Sequence, residues 1–300
     1  MLTRRFFTAL LFALFSSVAH ADLKIFATVP EWGALAQTLG GDKVKVYTAT
    51  TGLQDPHRIQ ARPSLIANAR SSNLVVATGA GLEDGWLPVI QREANNPAIL
   101  SGKPGFFEAT SYVRMLDVPA VVDRTMGDVH AAGNPHIQTD PRNMLLIGRA
   151  LSARLEQLDP ENAAYYRNRG EQFQKDWQAN LARWQKESAP LRGVKVWVQH
   201  DGYPYMNAWL GLNQVGVLEP RPGVEPSSRQ LAEVLQRQTS AQGRMVIASA
   251  YTNDAPSKWL GEKANIPVVI LPFTVGGNDQ AKTLSSLYDD TLQRLLSALK

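Results

Sequence analysis

The chain has 300 residues, 44% of them hydrophobic and 19% charged, and no cysteine. That length exceeds what one core usually serves, so two domains are expected, and the composition excludes collagen, coiled-coil and low-complexity classes. The formal net charge of +4 falls to 4 − 2 = +2 if Arg4 and Arg5 leave with a leader, too weak a balance to direct the chain to nucleic acid or an anionic membrane.

Residues 1–21 read as that leader. A basic start, "MLTRRFF", an apolar run and the small-residue end "AHA" before Asp22 are the parts of a secretory signal peptide cleaved after Ala21. The apolar run is short for a membrane span. Arg4 and Arg5 partly resemble a twin-arginine signal, but the general secretory route is the expectation. No cysteine follows the leader, which excludes a lipid anchor, and the expected location is the periplasm.

Strands and helices then alternate. "LKIFATVP" (23–30), "VKVYTATT" (44–51), "LVVATGAG" (74–81) and "FFEAT" (106–110) read as strands, with helices at "EWGALAQTLGG" and "SLIANARSS", the second with Ser64 as its expected cap. The rhythm returns in "VKVWVQHDG" (194–202), "NQVGVLEP" (213–220), "RMVIASAY" (244–251) and "PVVILPF" (267–273), with "SSRQLAEVLQRQ" as an intervening helix. Such alternation predicts an α/β fold of two lobes, each with a roughly four-stranded, mainly parallel sheet flanked by helices. Between them, Phe173, Trp177, Leu181 and Trp184 step by four, four and three, one apolar helical stripe. The stretch predicts one helix ending near Leu158 and a longer one starting at Pro160 with Asp159 as its cap. The expected division is residues 22–143, a connecting helical region 144–190, and residues 191–300. A terminal helix follows from Leu284, Tyr288, Leu292, Leu295 and Leu299.

Without cysteine, any metal must be held by His, Asp or Glu. His20 belongs to the leader. His57 follows the second strand, His136 precedes a helix opened by Asp140 and Pro141, and His200 ends a strand. In open parallel sheets ligands bind outside the carboxyl ends of the strands, so facing lobes would bring these three histidines to one cleft. Neutral imidazole is a favoured Zn²⁺ ligand. His130, in "GDVHAAG", is expected to be exposed and outside the site.

Four stretches together resemble the solute-binding receptors of zinc and manganese ABC importers. "DPHRIQARPS" is similar to that family's Asp-Pro-His-x-Tyr-x-x-x-Pro-Ser, with Ile59 in place of the aromatic. "NPHIQTDP" resembles its Asp-Pro-His-x-Trp-x-Asp-Pro, departing at Asn134 and Gln138. "HDGYPYM" resembles its His-Asp-x-Phe-x-Tyr, and "VEPSSRQLAEV" carries its Glu-Pro-Ser before a helix. Their order spans the whole chain after the leader. The resemblance implies two lobes joined by a rigid long helix, a metal held between them, no enzymatic activity, and a membrane permease as partner. A periplasmic metal chaperone is a further possible partner, and a monomer is the expected state. Zinc receptors place a histidine where manganese receptors usually have a glutamate, and here it is His200, so Zn²⁺ is the expected cargo. The family often takes a carboxylate from a loop before the last helix, which points to Asp279 in "TVGGNDQAK"; Glu225, Asp254 and water are the alternatives. Asp55 and Asp201 are candidates to orient an imidazole. The long histidine-rich loop of many zinc receptors is short here and keeps only His130. Other readings are a receptor for Mn²⁺ or a metal chelate, or a secreted zinc hydrolase. The hydrolase would need an open metal position and a general base, and no H-E-x-x-H supplies one.

Overall fold

A computed structural model describes residues 22–121 and 127–300; the expected signal peptide, residues 1–21, lies outside the described residues. The first sheet holds β1 (Leu23–Ala27), β2 (Val44–Thr48), β3 (Leu74–Ala77) and β4 (Phe106–Glu108) in the order β2-β1-β3-β4. The second holds β5 (Lys195–Val198), β6 (Asn213–Val217), β7 (Met245–Ser249) and β8 (Val268–Leu271) in the order β6-β5-β7-β8. Every pairing is parallel. The two sheets share one permutation. In each, the chain leaves the first strand toward one edge and returns across it, making a switch point between first and third strands. The carboxyl ends of the strands at such a point are where open α/β sheets bind ligands.

The helices are α1 (Pro30–Gly40), α2 (Pro63–Ser71), α3 (Leu87–Ala94), α4 (Pro141–Leu158), α5 (Ala163–Glu187), α6 (Pro204–Leu210), α7 (Ser228–Ala241), α8 (Ala255–Ala264) and α9 (Leu284–Ser297). Proline stands in the first or second position of α1, α2, α3, α4, α6 and α8. There its missing N–H costs no hydrogen bond and its fixed φ suits the helix. Asp140 caps α4 as expected, its carboxylate accepting from the Arg142 N–H at 2.8 Å. Two expected starts shift. α2 begins at Pro63 after an extended Arg62, so Ser64 is inside the helix and not its cap. α5 begins at Ala163 after a 3₁₀ turn over Pro160–Asn162. Asp159 does not cap that turn with its side chain. Its carboxylate accepts from the Tyr166 hydroxyl at 2.7 Å and from Asn162 Nδ2 at 2.8 Å.

Strand alternation divides each sheet's side chains between two layers. Phe26 and Val75 pack outward against α2 and α3 with Leu65, Trp86 and Ile90. Trp197 and Val246 do the same in the second sheet with Leu231, Val234 and Leu260 of α7 and α8. The inner faces join one continuous apolar core that runs through α1, α4, α5 and α9 and serves both sheets. The expected aromatic stripe of α5 is its centre. Phe173 stacks on Trp177 at 5.2 Å, Trp177 meets Trp184 edge-on at 5.3 Å, and Trp184 lies 5.1 Å from Tyr288 of α9. Trp177 Nε1 donates to the Pro141 carbonyl at 2.7 Å, and the Tyr288 hydroxyl donates to the Gln138 carbonyl at 2.7 Å. α5 and α9 therefore hold the segment just after His136, at Pro141 and Gln138.

A second tie crosses between the lobes. Glu31 of α1, 3% exposed, accepts a hydrogen bond from the Thr274 hydroxyl beyond β8. Burial dominates its titration and lifts its pKa from 4.5 to about 7. The folded state thus holds this proton more tightly than the unfolded state does. Its contribution to stability is present at low pH and is lost as pH rises from about 4.5 through about 7. Glu31→Gln removes the loss. Urea unfolding is expected to show the variant gaining on the parent by about 2–3 kcal/mol between pH 4.5 and pH 8, and an equal stability difference at both pH values would contradict this account.

Candidate metal centre

His57 sits in the loop from β2 to α2. The Asp55 carboxylate accepts from the His57 backbone N–H at 3.0 Å and lies 2.8 Å from its ring Nδ1. Trp86 Nε1 holds the same loop through the Pro56 carbonyl at 2.9 Å. Asp55 is kept ionised despite the opposing effect of burial, because its bonds and charge interaction with His57 outweigh it and lower its pKa. With Nδ1 committed to Asp55, the ring presents Nε2 inward.

His200 lies two residues beyond β5. Its Nδ1 is 2.8 Å from Glu219 Oε2 at the end of β6, and both side chains are largely buried. Burial disfavours charge on this ring, but the Glu219 carboxylate outweighs it and the pKa rises. His136 begins the 3₁₀ turn Ile137–Thr139 that leads into α4. It is 2% exposed, lies edge-on to Phe273 at 5.1 Å, and its buried Nδ1 has no partner among the described residues. Burial, then the neighbouring imidazoles, push its pKa well below 6.5.

The structure brings these three rings together. The His57–His136 and His136–His200 centroids are each 5.4 Å apart, and His57–His200 is 6.1 Å. It also brings a fourth, correcting the expectation for His130. That ring lies 5.3 Å from His57, and burial followed by the other imidazoles lowers its pKa to about 4. His130 also hydrogen bonds with the Ala80 backbone. Two ring-to-ring contacts result: His57 Nε2 to His130 Nε2 at 3.3 Å, and His136 Nε2 to His200 Nε2 at 3.3 Å. A Zn–N bond of about 2.0–2.1 Å gives a tetrahedron whose edges are about 3.3–3.4 Å. Both contacts have that edge length. Among the described residues no three such groups hold an ion as they stand, so a shared ion would require the rings to turn, those of His57 and His200 about their anchored Nδ1 sides.

Space and charge suit a small cation. A cavity of about 90 Å³ is lined by His130, His136 and His200 and by Asp117, Asp128 and Asp201. Gly202 lets the rings meet: a β-carbon there would lie 3.2 Å from each of His136, His200 and Phe273.

Asp279 is not brought into this group. It is exposed in the loop from β8 to α9, and among the described residues it makes no hydrogen bond or ion pair with an imidazole. Its neighbour gives the reason. Asn278 turns inward, accepting from the Gln280 and Ala281 N–H groups at 2.9 Å and donating to Asp290 at 2.7 Å, which leaves Asp279 facing solvent. Capping of α9 goes to Thr283. Of the alternatives, Glu225 accepts from Asn253 at 3.1 Å and Asp254 pairs with Lys258 at 2.8 Å. Asp201 accepts from Gln214 at 2.9 Å; the carboxylate that orients His200 is Glu219, which sequence reasoning missed. Its signal was its place just past a strand end, as for His200 itself.

The sequence matches, over residues 25–299, the family described as zinc-uptake complex component A, periplasmic. Among curated relatives, the manganese ABC transporter substrate-binding lipoprotein PsaA of Streptococcus mitis is 20% identical, the match covering 89% of this chain and 85% of that one. The metal ABC transporter substrate-binding lipoprotein SloC of Streptococcus mutans is 19% identical over 85% and 82%. Among solved structures, ZnuA superposes with a TM-score of 0.78 at 20% identity, covering 93% of this chain and 100% of that one. A ZnuA deletion mutant with zinc bound gives 0.76 at 22% identity, over 93% and 98%. A cadmium-bound periplasmic metal-binding protein from Candidatus Liberibacter asiaticus gives 0.75 at 15% identity, over 93% and 100%.

The Glu219 contact yields a direct expectation. Glu219→Ala removes the anchor of one ring and no inward-facing nitrogen, and should lower Zn²⁺ affinity about 10- to 100-fold in a competition titration against a chromogenic chelator. Parental affinity in the variant would mean that Glu219 does not orient His200.

Proposed function

Because the chain belongs to this family, whose members are substrate-binding proteins of metal ABC transporters and not enzymes, we propose that it is a periplasmic Zn²⁺ receptor. It captures the ion between its lobes with His57, His136, His200 and His130, the last in the position expected for Asp279. It then delivers the ion to the membrane permease of an ABC importer. The observation that carries this reading is the pair of 3.3 Å Nε2–Nε2 contacts among four converging imidazoles. A set of neutral nitrogens favours zinc, whereas Mn²⁺ favours carboxylate, carbonyl and water oxygens. His200 stands where manganese receptors usually place a glutamate.

A Mn²⁺ receptor is the second reading, favoured by the manganese transport named in the description of the PsaA relatives. Competition between the two ions separates them. Protein loaded in an equimolar mixture of Zn²⁺ and Mn²⁺ should retain zinc, and retention of manganese instead would support the second reading. Alanine at His57, His136 or His200 should lower zinc affinity by more than about a hundredfold, and alanine at His130 should also lower it. If His130→Ala binds as the parent does, the fourth nitrogen comes from elsewhere.

Protons compete with the metal at these rings. His136 and His130 are held neutral by burial and by their imidazole neighbours, so they stay available to metal in mild acid. His200 takes a proton more readily than a free imidazole, because Glu219 stabilises the charge against the cost of burial. Zinc affinity should therefore begin to weaken as pH falls toward about 6.5. Undiminished affinity at pH 5 would contradict this assignment.

A further inference from the structure

Arg58 is largely exposed, yet it faces three structures that each support a different imidazole. Its Nη2 donates to the Gly223 carbonyl at 3.1 Å and to Asp128 Oδ2 at 3.3 Å, and its Nε lies 3.9 Å from Asp55 Oδ2. Asp55 holds His57 through Nδ1. Asp128 lies two residues before His130, and its backbone N–H donates to the Pro222 carbonyl at 3.1 Å. The Gly223 N–H donates at 2.9 Å to the same Glu219 oxygen that faces His200 Nδ1. One guanidinium thus ties the loop of the first lobe, the segment before His136 and the β6–α7 loop of the second lobe. Gly223 is built for this contact. It has a φ of +74°, and a β-carbon there would collide with the Asp128 carboxylate at 2.1 Å and crowd Arg58 Nη2 at 3.0 Å.

We propose that Arg58 is a clamp across the mouth of the metal site, a positioning residue that slows metal release by holding the supports of His57, His130 and His200 in one arrangement. The inference rests on the receptor reading above and deepens it. Arg58 touches no metal-facing nitrogen, so its removal leaves all four imidazoles in place. What changes is how often their supports part. A guanidinium suits the task because its planar fork reaches an oxygen on each side, which the single ammonium of lysine does not reproduce. Its exposure keeps each contact weak, so the clamp opens without a large barrier.

Release is measured by mixing zinc-loaded protein with excess chelator in a stopped-flow instrument. Arg58→Ala and Asp128→Ala should each release zinc roughly two- to fivefold faster, with uptake rates changed less. Arg58→Lys should fall between Arg58→Ala and the parent. The double variant should release no faster than the faster single variant, because both substitutions break the same contact. Parental release from Arg58→Ala, or a double variant whose acceleration is the product of the two, overturns the clamp. Amide hydrogen exchange on metal-free protein separates this inference from the receptor reading. Arg58→Ala should speed exchange in the segments holding Asp128 and Gly223, and unchanged exchange there overturns the clamp even if zinc binds. A parent chain that takes up no zinc overturns the receptor reading, while the exchange rates still decide whether Arg58 ties the segments.

Discussion

Four imidazoles, with neighbouring centroids 5.3–6.1 Å apart, cannot all be cationic. Like charges at such spacing repel strongly where little water screens them. The fold imposes this crowding. Asp55 and Glu219 turn Nδ1 of His57 and His200 outward, Gly202 removes the side chain that would keep His136 and His200 apart, and burial keeps His136 and His130 neutral. Lone pairs then face inward with too few protons to satisfy them. A divalent cation relieves that arrangement, and its binding free energy offsets the cost of assembling it.

The crowding needs a stiff frame. A single apolar core reaches both sheets through α1, α4, α5 and α9, and Tyr288 and Trp177 bond to the Gln138 and Pro141 carbonyls, in and just after the His136 turn. A core shared by two lobes resists a wide hinge opening. Movement therefore belongs to the segments at the mouth, where contacts are exposed and few. His57 and His130 stand on those segments, whereas His136 and His200 are anchored to the frame. The site accordingly has a fixed pair of nitrogens and a pair that the loops carry.

Much of this was legible in the residues. All eight strands appear as short apolar runs, and three of the four histidines stand near strand ends or a helix start within quotable motifs. The rest depended on contacts between distant positions. His130 meets His57 from 73 residues away, and Arg58 meets Gly223 from 165 residues away; no local pattern announces either pairing. Arg58 had no role in the sequence reading because its partners lie on two other segments. Asp279 lies outside the histidine cluster for a local reason: Gly277 packs against the Pro272 carbonyl, and Asn278 occupies the inward position. Ser64 and Asp159 misled because proline, placed in the first turn, set the start of one helix and of one 3₁₀ turn without a side-chain cap.

The central claim is a four-imidazole zinc site, and X-ray absorption at the zinc edge of the loaded protein tests it most directly. The account predicts a first shell of four nitrogens at about 2.0–2.1 Å, with outer-shell scattering from four imidazole rings that falls to three in His130→Ala. A shell holding a carboxylate oxygen and three rings, unchanged in that variant, would contradict it.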